Sequence, residues 1–186
     1  MNGTEGRGRA GSVPAAAIGA VHRGVMAVCG ETEAAQVLRQ IGLEGASALH
    51  AGFAEWVASR SGDRRTLASL ARTEFWNALS DYFVAIGLGP IEQEELHAGV
   101  LALSSTTWIE SRATESRRPS CHLTTGLLAG LLREVAGEDL AALEVECRGS
   151  GEGQCRFLIG SAPALEKVHG EMLGGSGYRS AVSALA

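Results

Sequence analysis

The sequence lacks the features of several large functional classes. It has 16 Lys and Arg against 21 Asp and Glu, so it offers no basic field that would hold a phosphate backbone. No apolar run reaches the roughly 18 residues that a bilayer-spanning helix needs. The polar start MNGTEGRGRAG lacks the charged-then-apolar pattern of a signal peptide. We therefore expect no direct nucleic-acid contact, no membrane span and a cytoplasmic location.

Short motifs of common enzyme classes are also missing. There is no G-x-S-x-G nucleophile motif, no Walker loop and no nicotinamide or flavin motif. The stretch GSGEG at 149–153 falls in an expected hairpin turn, whereas a phosphate-binding loop joins a strand to a helix. We expect a binding protein rather than an enzyme.

Hydrophobic periodicity indicates one domain of mixed secondary structure. A chain of 186 residues with 45% hydrophobic content can bury a core of its own. Apolar spacing predicts helices over 14–28, over 32–59 as two helices with Gly42 and Gly45 at a break or a close contact, over about 66–86, over 121–135 and from 163 to 173. Flexible tails are expected over 1–13 and 174–186, which leaves a domain over 14–173.

Two hairpins are predicted between and after the helices. One turns at His97-Ala98-Gly99, and the other brings residues 143–147 against 155–159 across a glycine-rich turn. The order of elements predicts an α+β fold, in which an antiparallel sheet of about four strands is packed on one side by helices and preceded by an N-terminal helical region.

Three of the four cysteines are expected to meet. Cys147 and Cys155 flank the glycine-rich turn of the second hairpin and face the core, and Cys121 opens the preceding helix. In a reducing cytoplasm these side chains are thiols or metal ligands rather than a disulfide. Spacing alone leaves two interpretations open: a zinc site completed by Glu144 or Glu146, or inert packing of small apolar side chains.

Three segments together resemble a known family. The runs WIES at 108–111, PSCHLTTGLLAGLL at 119–132 and EVECRGSGEGQCRFLIG at 144–160 look like the 4-vinyl reductase domain. That family is similar to the sensor domain of phenol-responsive transcription activators and to subunits of the vesicle-trafficking (TRAPP) complex. The resemblance implies a zinc ion held by Cys121, Glu144, Cys147 and Cys155. Such a saturated ion would be structural, since no coordination position is left for water.

Strand parity conflicts with one of these ligands. Strict alternation places Glu144 and Glu146 on the face opposite Cys147, so Glu144 reaches the metal only if a bulge or a strong twist redirects it. Otherwise the ion is held by three cysteines and water, or there is no ion.

The resemblance also implies a ligand cavity. In the phenol sensors the tryptophan of the matching W-x-x-S motif lines the cavity and its indole addresses the ligand, a role that falls on Trp108. Phe75 and Phe83 on the preceding helix, and His97, are further candidates for contact with a small apolar or aromatic ligand. For a single aromatic residue, core packing is the simpler explanation.

Three functions follow from this resemblance. The first is a ligand-binding sensor or carrier module, which we expect to form a homodimer and, having no ATPase or DNA-binding region after it, to signal through a separate effector protein. The second is a tetrapyrrole vinyl reductase or its accessory carrier. The third is a dimeric scaffold similar to the trafficking subunits, associating through amphipathic N-terminal helices.

Overall fold

A four-stranded sheet and six helices make up the part of the chain that this computed structural model describes, residues 15–60, 65–112 and 118–185. In chain order these elements are α1 (Ala15–Cys29), α2 (Glu31–Arg60), α3 (Arg72–Ala85), β1 (Glu92–His97), β2 (Val100–Ser105), α4 (His122–Ala136), β3 (Leu140–Glu146), β4 (Cys155–Ser161), α5 (Ala162–Leu173) and α6 (Tyr178–Ser183).

The sheet has the strand order β1-β2-β4-β3, and every neighbouring pair is antiparallel. Both predicted hairpins are present, with the first turning at Ala98 and Gly99. The predicted α+β fold with about four antiparallel strands is confirmed.

Helices cover both faces of this sheet. The larger core lies between the sheet and helices α2, α3 and α4, and the C-terminal helices α5 and α6 pack on the opposite face against Val100, Ala102 and Leu158. The prediction placed helices on one face of the sheet only, and these correspond to the helices of the larger core. The second layer follows from the apolar runs of β2 and β4, because a strand that is apolar at consecutive positions has two faces to bury.

Helix α2 is continuous over 30 residues, so the prediction of two helices is wrong. Gly42 provides a close approach to α4: a Cβ there would lie 2.0 Å from the carbonyl oxygen of Leu123. Gly126 does the same from α4, where a Cβ would lie 2.0 Å from the carbonyl oxygen of Arg39. The helices cross at backbone contact because neither carries a side chain at these points.

The C-terminal region differs from the flexible tail expected over 174–186, since it contains α6. Ala181 and Val182 of this helix are buried in the second core, and the Arg179 guanidinium donates two hydrogen bonds to Glu94 of β1, at 2.9 and 3.0 Å. The tail expected over 1–13 lies outside the described residues. No helix in the described ranges has an apolar stretch long enough to cross a bilayer.

Candidate metal centre and apolar cavity

Three cysteine side chains meet beneath one end of the sheet. Cys121 immediately precedes α4, Cys147 immediately follows β3 and Cys155 begins β4. The Sγ atom of Cys121 lies 3.7 Å from that of Cys147 and 3.9 Å from that of Cys155. All three side chains are free thiols and fully buried. The predicted convergence of three separate chain segments is therefore present.

A β-bulge brings Glu144 to the same point. Glu144 pairs with Phe157 and Glu146 pairs with Arg156, so Val145 is an extra residue in β3 with no partner in the register. The bulge interrupts strict alternation, which lets Glu144 and Cys147 share one face of the sheet. One ligand atom from each of Cys121, Glu144, Cys147 and Cys155 lies within 4.8 Å of the others.

The Glu144 carboxylate is only half satisfied. Its Oε2 atom accepts a hydrogen bond of 2.8 Å from the backbone N–H of Cys121. Its Oε1 atom is buried and has no hydrogen-bond partner among the described residues. An unpaired buried acceptor costs about 1–3 kcal/mol, so an oxygen left in this state beside three thiols fits a cation as its missing partner.

The four acids perturb one another in a way that a cation would relieve. Burial, and then the negative charge of Cys147, raise the pKa of Glu144 to about 9. Hydrogen bonding to Cys147 and Cys155, together with burial, raises the pKa of Cys121 well above its ordinary value. Hydrogen bonds from Cys121 and Cys155 lower the pKa of Cys147, which receives them. The cluster therefore concentrates negative charge on one sulfur, because four adjacent acids cannot all ionise unless a positive ion compensates them.

The pKa of Cys155 is raised, like that of Cys121. Its hydrogen bond with Cys121 lowers its pKa, but hydrogen bonding to Cys147 and burial outweigh that effect and raise it to about 11. Backbone N–H groups of Ser120 and Arg148 stabilise the charged forms of Cys147 and Cys155. Orienting contacts of this kind are typical around metal ligands. The four buried residues can hold a metal ion.

A second carboxylate, Glu110, caps the start of α4 and was not among the predicted site residues. Its Oε2 atom accepts from the Thr124 N–H at 2.7 Å, and its Oε1 atom from the Leu123 N–H at 3.0 Å. The imidazole Nε2 of His22 on α1 lies 2.6 Å from the same Oε1. Glu110 therefore joins α1 to the end of α4 that carries Cys121. The signal for it in the sequence is an acidic residue directly after the apolar pair Trp108-Ile109.

The Trp108 side chain is 1% exposed and lies within the core. Its indole N–H donates a hydrogen bond of 2.6 Å to the hydroxyl of Thr124 on α4. The Trp108 ring packs edge-to-face between Phe83 and Phe157, with ring centroids 5.6 and 6.2 Å away. Thr124 is thus the hydrogen-bond partner of the indole N–H that, by the resemblance, would contact a ligand.

An apolar cavity of about 440 Å³ lies at the other end of α4. It is bounded by the 3₁₀ turn Leu67–Ser69, the start of α3, the end of α4 and strands β2, β3 and β4. The lining side chains are those of Leu67, Ala68, Leu70, Arg72, Phe75, Trp76, Leu101, Leu132, Val135, Ala136, Leu140 and Ile159.

The four residues predicted to contact a ligand have different positions around this cavity. Phe75 lines it. Trp108 and Phe83 pack against each other in the larger core and do not line the cavity. His97 is half-buried at the end of β1, beside the first hairpin turn. The structure thus brings together the predicted metal ligands and separates the predicted ligand contacts.

Comparison with known proteins supports the fold and the family resemblance. The family model of the 4-vinyl reductase domain matches residues 109–161. The phenol-responsive sensory domain of the transcription activator PoxR, solved with phenol, has a TM-score of 0.62 at 18% identity over 87% of this chain and 81% of that one. Subunit 3 of a trafficking protein particle complex from Naegleria fowleri, covalently bound to palmitic acid, has a TM-score of 0.55 at 11% identity over 78% of this chain and 93% of that one.

A vinyl-4-reductase family protein from Methanocaldococcus jannaschii is a further match, with 21% identity over 61% of this chain and 79% of that one and a TM-score of 0.39. Among curated protein sequences, none matches this chain significantly. The predicted resemblance is confirmed: residues 109–161, which contain all four candidate ligands, match the 4-vinyl reductase domain, and the chain has the fold of the phenol sensor and of the trafficking subunit.

Proposed function

We propose that this protein is a binding module for a small hydrophobic ligand and that a structural zinc ion stabilises it. The observation that carries the proposal is an apolar cavity of about 440 Å³ on the same helix that begins at the cysteine cluster. A volume of this size lies within the roughly 300–1,000 Å³ range of pockets that hold small molecules.

Zinc is the ion that the donor set supports best. Tetrahedral zinc with bonds of about 2.3 Å to sulfur separates its thiolates by about 3.8 Å. The two sulfur–sulfur distances measured from Cys121 are 3.7 and 3.9 Å. Three thiolates and the Glu144 carboxylate fill four positions, which favours a structural ion over one that activates water.

In this proposal the ion holds three separate parts of the chain together. Cys121 fixes the start of α4, while Glu144, Cys147 and Cys155 fix the ends of β3 and β4 that meet there. Helix α4 then forms a stable wall of the cavity at its other end. Metal binding contributes directly to folding free energy when the site exists only in the folded chain.

Apolar ligands bound by the two fold relatives support the ligand class. One relative was solved with phenol and the other with covalently bound palmitic acid. Both ligands present mostly apolar surface, and the lining of the cavity in this chain is apolar apart from Arg72. We extend from these relatives only the general class of a small, largely apolar molecule.

Self-association is part of the proposal. Helices α1 and α2 leave Val21, Met26, Val28 and Ile41 at least 41% exposed. We propose that these exposed apolar side chains pack against a second copy of the chain in a homodimer. Occupancy of the ligand site would then be signalled to a separate effector protein. A reducing compartment such as the cytoplasm would keep the three thiols available to the metal.

Native mass spectrometry of the purified protein tests the module as a whole. We expect a dimer that carries one zinc ion per chain and a bound small molecule released by organic solvent. Visible absorbance of a bound tetrapyrrole would instead favour the reductase or carrier interpretation. A dimer free of any ligand, and unable to bind an apolar dye, would favour the scaffold.

Proton release tests the metal centre independently. At pH 7 the groups with raised pKa values, Cys121, Glu144 and Cys155, hold protons in the metal-free chain. Zinc must displace them, so we expect about three protons to be released per ion and the affinity to fall as the pH is lowered. Calorimetry in buffers of different ionisation enthalpy measures this number. Release of fewer than one proton would contradict coordination by these groups.

A further inference from the structure

We propose that the cavity selects an aliphatic monocarboxylate, with the hydrocarbon chain inside the cavity and the carboxylate at Arg72. This inference rests on the proposed ligand-binding function and specifies the ligand. Size, polarity and charge of the cavity each support it.

The size of the cavity favours a ligand larger than one aromatic ring. A cavity of about 150 Å³ is enough to hold benzene. At about 440 Å³, this cavity has nearly three times that volume. A single-ring phenol would leave most of the apolar lining without contact, whereas an acyl chain contacts more of the lining and gains affinity with each methylene that it buries.

The polarity of the cavity argues against a hydroxylated aromatic ligand. The indole N–H of Trp108, which the resemblance assigns to a ligand hydroxyl, is bonded to Thr124 at 2.6 Å, and Trp108 is not part of the lining. Trp76 and Arg72 are the lining residues with side-chain N–H groups. A hydroxyl buried among the remaining side chains would lose its hydrogen bonds to water without replacement. The part of the ligand that contacts the apolar lining is therefore a hydrocarbon.

Arg72 places a positive charge at the edge of the cavity. It is the first residue of α3 and its side chain is 63% exposed, so the guanidinium can lie at the boundary between the apolar lining and water. One of its nitrogens donates to Glu95 at 2.9 Å. A guanidinium has five N–H donors in a planar fork, and the start of a helix also favours negative charge. A carboxylate can therefore bind Arg72 while its hydrocarbon chain occupies the cavity.

Binding is expected to be reversible. None of the described residues that line the cavity is a cysteine, and three of the four cysteines in the chain are in the metal centre. The cavity therefore offers no thiol for attachment of an acyl group.

Calorimetric titration of the zinc-loaded, full-length protein with dodecanoate, dodecanol and phenol tests the proposal. We expect dodecanoate to bind about fivefold more tightly than dodecanol, as a half-exposed ion pair provides, and phenol to bind at least tenfold more weakly than either. Arg72→Gln should abolish the preference for dodecanoate over dodecanol. Arg65→Gln is the matched control, because Arg65 pairs with Glu74 at 3.6 Å and does not line the cavity.

Two further variants separate the ligand assignment from the function itself. Glu95→Gln should tighten dodecanoate binding severalfold by removing a competing carboxylate. Val135→Phe should weaken dodecanoate and dodecanol alike, at least tenfold, with zinc content unchanged. Equal binding of dodecanoate and dodecanol, a preference that survives in Arg72→Gln, or tightest binding of phenol would overturn the inference and leave a ligand-binding module. Failure of all three compounds to bind would overturn the inference and the proposed function together.

Discussion

The two ends of α4 have surroundings of opposite polarity. At its start, three thiols and the Glu144 carboxylate are buried within 4.8 Å of one another, and the Glu110 carboxylate caps the first turn. At its end, Leu132, Val135 and Ala136 border an apolar cavity that has only Arg72 at its edge with a formal charge. One end is a polar cluster that lacks a partner for an oxygen, and the other is a space that lacks side chains to fill it.

The difference shows how one helix can be held firmly and still border a cavity. Between the two ends, Gly126 and Gly130 bring α4 against the backbone and side chains of α2. The Thr124 hydroxyl accepts a hydrogen bond from the Trp108 indole N–H. These contacts fix the middle of the helix. The last turn of α4, with Leu132, Val135 and Ala136, lies beyond these contacts and borders the cavity.

Removing a candidate metal ligand at the start of α4 should have the largest effect on stability. Cys155→Ser replaces a thiolate with a weak ligand for zinc and leaves the other acids crowded together. We expect loss of the metal and a decrease of about 3–5 kcal/mol in the free energy of unfolding, or roughly 10 °C in Tm. Elemental analysis and calorimetry measure both. Cys29→Ser, a half-buried cysteine of α1 outside the cluster, should change neither quantity; equal melting of wild type and Cys155→Ser would contradict a structural ion.

The next effect tests the middle of α4. A methyl group added by Gly126→Ala would meet the carbonyl oxygen of Arg39 at 2.0 Å, so the helices must separate. We expect a loss of about 3 kcal/mol, measured by denaturant unfolding. Gly24→Ala in α1 is the matched control, because a Cβ there has no atom within 4 Å, and it should stabilise the protein by about 0.5–1 kcal/mol. Similar stability of the two variants would refute the close crossing.

A smaller loss of stability, without loss of ligand affinity, would show that Trp108 belongs to the core and not to the cavity lining. Thr124→Val removes the acceptor of the Trp108 indole and leaves a buried N–H unpaired, at a cost of about 1–3 kcal/mol. Affinity for an apolar ligand should stay the same, because neither residue lines the cavity. Thr124→Ser keeps the hydroxyl and should retain most of the stability. Loss of ligand affinity without loss of stability would instead place Trp108 in contact with the ligand.

The smallest effect concerns the second face of the sheet, far from both ends of α4. Hydrogen bonds from Arg179 and Arg156 lower the pKa of Glu94 from 4.5 to about 2. Since the folded-state pKa is the lower one, this stabilisation is complete above about pH 4.5 and is lost as the pH falls towards 2. Arg179→Gln should cost little stability at pH 7, because the pair is exposed, and the difference from wild type should shrink in acid.

Chemical denaturation at pH 7 and at about pH 3, between the two pKa values of Glu94, measures this difference. Arg23→Gln, on the exposed surface of α1, is the control and should match the wild type at both values. A difference that grows as the pH falls would contradict the assigned pair between Arg179 and Glu94.

Local patterns were sufficient for most of the elements and for placing Cys147 and Cys155 on the core face of one hairpin, whereas the full set of candidate ligands came from the family resemblance. The apolar stripe of α4, the hairpin turn at Gly99 and the spacing of Cys147 and Cys155 were readable because each depends on residues near one another in the chain. Glu144 was different. It followed from family resemblance, and parity argued against it until the extra residue at Val145 was seen in the register of β3 and β4.

Long-range contacts were not readable in the same way. Gly42 left open a break in the helix or a close contact, and only the approach of α4 shows that it accommodates a second backbone. Gly126 and Gly130 are spaced by one helical turn, which was the available signal for that crossing. His22 and Glu110 are separated by 88 positions, so their hydrogen bond depends entirely on how α1 returns to the core.

The sequence by itself determined that the chain forms an antiparallel sheet with helices and that Cys147 and Cys155 face the core across one hairpin, because hydrophobic period and turn residues act locally. Only the tertiary structure decided that Glu144 joins the cysteines, that Trp108 bonds to Thr124, and that the open space lies at the far end of α4. Each of those outcomes joins segments that are distant in the chain, so it appears only when these segments pack together.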